Sequence, residues 1–120
     1  MSEPVLFPLE ATEGFPDRGT LMFFCPGCRG GHSFDTKRAS PPGPVWSWNG
    51  SMERPTFTPS LLVRGTEDLT DDEIKLVMSG GKVTPRPLRC HLYVTDGQIC
   101  FLSDCTHGLA GKTVPMEPNL

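Results

Sequence analysis

Short apolar runs punctuated by proline and glycine, several alternating with period two, predict extended structure over most of this chain. Leu21-Met22-Phe23-Phe24 runs into the tight turn Cys25-Pro26-Gly27-Cys28, and Gly30-Gly31-His32-Ser33-Phe34 can return beside it as a second strand of a knuckle-like hairpin. Pro41-Pro42-Gly43-Pro44 forces a loop. Trp46-Ser47-Trp48 alternates and ends at the turn signal Asn49-Gly50, and Pro55 to Val63 supplies a further extended piece. Prolines 55 and 59 put that piece at an edge or a strand start, since proline has no N–H to give a ladder. Trp46 and Trp48 share one strand face, a spacing that favours core packing over stacking on a peptide or base.

One helix is signalled. Thr70 and Glu73 form a capping box, Leu69 and Ile74 occupy the positions of a hydrophobic staple, and Ser79-Gly80-Gly81 stops the run. Ile74, Val77 and Met78 make one apolar stripe, which predicts a helix lying against the sheet as a cover. The last unit is a hairpin from Cys90 to Cys105 around Asp96-Gly97, a pair suited to a type I′ turn. Pairing Thr95 with Gln98 places Cys90, Leu92, Val94, Ile99, Phe101, Ser103 and Cys105 on one face, with His91, Tyr93, Cys100, Leu102 and Asp104 on the other.

These elements define an α+β fold, mainly antiparallel β with one short covering helix, in one small domain. The expected layout is an N-terminal arm over 1–18 that packs through Val5, Leu6 and Phe7, a β-rich domain over 19–115 and a tail over 116–120. Thirteen glycines and thirteen prolines in 120 residues leave little room for long regular elements, so added stapling is welcome. The net charge of −3 gives no basic footprint for nucleic acid. With no secretory pattern and no long apolar run, the chain is expected to be soluble and cytoplasmic, without a membrane partner.

In that reducing setting five cysteines read as metal ligands plus a spare, Cys100. Cys25 and Cys28 on a tight turn, with Cys90 and Cys105 as close neighbours at the open end of the hairpin, make a four-thiolate set suited to tetrahedral Zn2+. His107 or His91 is the alternative, each imidazole able to replace its neighbouring sulfur. A redox role is disfavoured, because the Cys-x-x-Cys turn does not open a helix in a βαβ context. A thiolate set leaves His32, His91 and His107 free, and His91 shares a hairpin face with Asp104, a carboxylate able to orient its ring.

Phe24-Cys-Pro-Gly-Cys28, His32, Trp46-x-Trp-Asn-Gly50, Pro55-Thr-Phe-x-Pro-Ser60, Cys90-His91, Asp96-Gly97 and Asp104-Cys-Thr-His107 occur in order from about Met22 to Val114. Together they resemble a family of small phage and prophage proteins. Its members often carry the label ammonia monooxygenase, which nothing here supports: no feature suggests a membrane-embedded copper oxidase. The resemblance implies phage association, with Cys25, Cys28, Cys90 and Cys105 at the family's cysteine positions and His32, His91 and His107 at its histidine positions. The resulting expectation is a zinc-binding accessory module acting on a host or phage protein in the host cytoplasm. The alternative is a metal-dependent or acid–base hydrolase using His91, Asp104, His107 and His32.

Overall fold

The computed structural model describes residues 3–9, 16–39 and 41–118. Parts of the expected arm and tail, residues 1–2, 10–15 and 119–120, lie outside them. The apolar runs form two antiparallel sheets. In the first, β1 (Phe7–Pro8), β2 (Thr20–Cys25) and β3 (Gly30–Asp35) lie in that order. In the second, β4 (Ser47–Trp48), β5 (Phe57–Thr66), β6 (Pro87–Thr95), β7 (Gln98–Phe101) and β8 (Thr113–Pro115) follow in chain order. A single helix, α1 (Asp71–Met78), falls between β5 and β6.

Alternation decides what each sheet buries. Leu21, Phe23 and Cys25 of β2 and Phe34 of β3 point inward, against Phe57 and Leu61 of β5, Cys90, Leu92 and Val94 of β6, and Ile99 and Phe101 of β7. Phe34 joins the sheets, stacked on Phe57 with ring centroids 4.0 Å apart and meeting Trp46 edge-on at 5.4 Å. Both tryptophans pack as the sequence predicts, and each indole N–H finds a carbonyl: Trp46 that of Ser60 at 3.2 Å, Trp48 that of Ser51 at 3.0 Å. Val5 and Leu6 are buried, so this part of the arm belongs to the core.

The β6–β7 hairpin has the expected register, Thr95 opposite Gln98, with Asp96 and Gly97 both at positive φ. The register of β5 against β6 slips once. The step from Phe57 to Leu61 is matched only by Val94 to Leu92, so residues 58–60 bulge.

The helix has its capping box: Thr70 Oγ1 accepts from the Glu73 N–H and Glu73 Oε1 accepts from the Thr70 N–H. It does not cover the sheet, however, since none of its residues is buried. Arg86 instead ties its first turn down, with Nη1 donating to both Glu73 carboxylate oxygens at 2.6 Å and Nε to Glu67 at 3.0 Å. Its apolar stripe is too short to displace the aromatic core beneath the sheets and stays in water. Among the described residues no helix is long and apolar enough to cross a membrane.

Candidate functional site

Cys90 and His91 are consecutive on β6, so strand alternation sends them to opposite faces and assigns them to two different sites. On the inner side, the ligand atoms of Cys25, Cys28, Cys90 and His107 lie within 4.8 Å of one another, a Cys3His cluster able to hold a metal ion. Cys25 ends β2, Cys28 closes the turn, Cys90 comes from the other sheet and His107 from the loop after β7, so the cluster pins the sheets together. Sγ of Cys25 and Cys90 are 3.9 Å apart, and His107 Nε2 is 3.4 Å from Cys90 Sγ. Gly27 makes the approach possible: a Cβ there would collide with the His107 ring.

The donor set suits a soft cation. The contact with Cys90, helped by His32 and the Cys28 N–H, pulls the Cys25 thiol down to about 4. Burial and the Cys25 charge push Cys28 up to about 11, and the bond to Cys25 followed by burial also raises Cys90. One thiolate therefore suppresses the others, and a cation among them relieves that repulsion. Coordination through His107 Nε2 would place the ring proton on Nδ1, which accepts from the Leu109 N–H at 3.2 Å, so holding a metal there would give up that bond.

Cys105 lies outside this group of four. The ladder ends at Phe101 and the chain turns through Ser103 and Asp104, so the alternation that would pair Cys105 with Cys90 is lost. Its thiol is bound to the His91 backbone instead, donating to the carbonyl at 3.2 Å and accepting from the N–H at 3.3 Å. His91 is on the far face from the cluster. His32 meets Phe23 edge-on, and its Nε2 is buried without a hydrogen-bond partner. Cys100 is half-buried opposite Tyr93, on the His91 face.

On that outer face, Ser60 Oγ lies 3.1 Å from His91 Nε2, and His91 Nδ1 lies 3.3 Å from Asp104 Oδ2. The bulge at residues 58–60 presents Ser60, and the Trp46 indole holds its carbonyl. Asp104 is also held by Arg89, 3.6 Å away, in a loop tied to β6 through bonds from the Leu102 N–H to the His91 carbonyl and from the Thr106 N–H to the Arg89 carbonyl. With its Nδ1 proton on Asp104, His91 offers the Nε2 lone pair to the Ser60 hydroxyl, the polarity needed to make serine a nucleophile. The His91–Asp104 pair is the one expected from the hairpin, while His107 and His32 stand apart from it. Sequence reasoning missed Ser60. The available signal was the Pro55-Thr-Phe-x-Pro-Ser60 motif, whose prolines mark the irregular strand that carries it.

The fold and the two sites describe a small two-sheet β protein with a Ser-His-Asp array beside a Cys3His cluster. The chain belongs to the BubE family, described as "Bacterial ubiquitination-like system serine protease", whose model matches residues 6–102. No curated protein and no solved structure matches the chain.

Proposed function

We propose that this protein is a serine protease of a bacterial ubiquitination-like system, with Ser60 as nucleophile, His91 as general base and Asp104 as the carboxylate that orients it. The observation that carries this reading is the chain of contacts from Ser60 through His91 to Asp104, at 3.1 and 3.3 Å, in a family described as serine proteases. In the reaction Ser60 Oγ bonds to the substrate carbonyl carbon as its proton passes to His91 Nε2. Asp104 stabilises the imidazolium, which returns the proton to the leaving amine, and water then hydrolyses the acyl–Ser60 ester by the same route. Substrates are proteins that carry or supply the system's modifier. The motif resemblance to phage and prophage proteins supports host or phage proteins in the cytoplasm as these substrates.

The Cys3His cluster would hold Zn2+ through Cys25, Cys28, Cys90 and His107, four protein atoms that leave no open position. Bound there, zinc supplies rigidity to the strand that carries His91. A fluorophosphonate probe tests the reading: it is expected to label Ser60 in the parent and to fail on Ser60→Ala and His91→Ala proteins that still melt normally. A zinc-loaded parent that resists the probe would return the protein to the binding-module reading. X-ray absorption at the zinc edge is expected to show three sulfurs and one nitrogen, whereas four sulfurs would restore Cys105.

A further inference from the structure

The strand that carries Ser60 has one edge that the fold leaves open. β4 pairs with β5 only at Phe57 and Thr58, because the chain turns away at Trp46, whose N–H donates to the Asp35 carbonyl of β3. Beyond Ser60, β5 has β6 on one side and, among the described residues, no strand on the other.

The register says which backbone groups face that side. His91 directs its N–H to Cys105 and its carbonyl to Leu102, and Arg89 directs both of its groups to Thr106, all away from β5. Leu62 pairs with His91 and Arg64 with Arg89, so these are non-hydrogen-bonded pairs, and so is Thr66 with Pro87, where no donor is needed. The N–H and C=O groups of Leu62, Arg64 and Thr66 therefore all point outward along the open edge. That is a row of donors and acceptors with strand spacing, starting two positions after the nucleophile. Proteins blunt such edges unless they are used. Here the segment after Ser60 contains no proline and no further bulge, and Leu62 is well exposed.

We infer that this edge is the substrate-docking strand: an extended segment of the protein substrate pairs with Leu62, Arg64 and Thr66 and so carries its scissile carbonyl past Ser60. The inference rests on the serine protease reading and adds how substrate is held. Main-chain pairing selects for an unfolded tail or linker rather than a folded surface. Side chains set a preference. Arg64 and Arg89 stand directly opposite one another, Asp104 neutralises only Arg89, and among the described residues Arg64 makes no ion pair. A substrate carboxylate beside Arg64 would complete the charge balance.

The test uses the full chain and β-casein, an unfolded acidic protein, as probe. In Ser60→Ala protein, excess β-casein is expected to slow amide exchange at Leu62, Arg64 and Thr66 at least tenfold, and unchanged exchange at these three would overturn the proposal. In an otherwise native chain Leu62→Pro removes one outward N–H without breaking a bond to β6. It is expected to keep fluorophosphonate labelling within twofold while raising KM for β-casein tenfold or more. Retained labelling with unchanged KM would also overturn the docking strand, whereas a parent that never labels would remove the protease reading and leave the exchange result to decide the edge.

Discussion

At the scale of single residues, the consecutive pair Cys90 and His91 explains how so small a chain carries two sites. Strand geometry alone separates a thiol in the core from a half-buried imidazole on the outer face. In the proposed triad Asp104 acts through His91, fixing its tautomer, so Asp104→Asn is expected to lower kcat by about 10⁴-fold with little change in KM. Steady-state kinetics on a cleaved peptide checks this. At the cluster, Gly27→Ala puts a methyl group where the His107 ring sits, and is expected to lower zinc affinity, read by competition with a chromogenic chelator. The CPGC turn and Cys90 were legible in sequence as candidate ligands, with Cys105 expected beside them and His107 or His91 as its alternative. Which of Cys105 and His107 approaches the other three was not, because it depends on where the β7 ladder stops.

At the scale of elements, the register of the β6–β7 hairpin followed from Asp96-Gly97, and the helix ends followed from the Thr70–Glu73 box at its start and Ser79 at its stop. Both are local chemistry, which sequence states directly. What α1 packs on is not local, and its predicted role as a cover gave way to a tether through Arg86. Arg86, followed by the Thr70 N–H, holds the Glu73 carboxyl down at about 2 against an ordinary 4.5. A carboxylate depressed on folding contributes stability that is full above about 4.5 and is lost as pH falls through about 2. Amide protection over Asp71–Met78, taken relative to the intrinsic exchange rate at each pH, is therefore expected to fall first in that acid window, and Arg86→Ala should produce the same loosening at neutral pH while leaving fluorophosphonate labelling intact.

At the scale of the whole molecule, the Cys3His cluster and the aromatic stack of Phe34 on Phe57 both tie one sheet to the other. With the proposed zinc in place, its removal would leave three thiols that repel one another once ionised and would release the anchor of the His91 strand. Cys90→Ser is expected to lower the melting temperature by roughly 10–20 °C, since structural zinc sites couple metal binding directly to folding. Chelation of the parent should mimic it, with hydrolysis falling in step with the unfolded fraction. Sequence by itself determined the β-rich class, the hairpin register and the helix caps, because each rests on periodicity, turn chemistry or spacing within one element, and it put His91 and Asp104 forward together although Asp104 sits in a turn beyond the end of β7. The tertiary structure decided the rest. Ser60 meets His91 across a bulge between strands far apart in sequence, and His107 reaches the thiolates through a loop whose path alternation does not specify, so both depend on how two sheets close over one core.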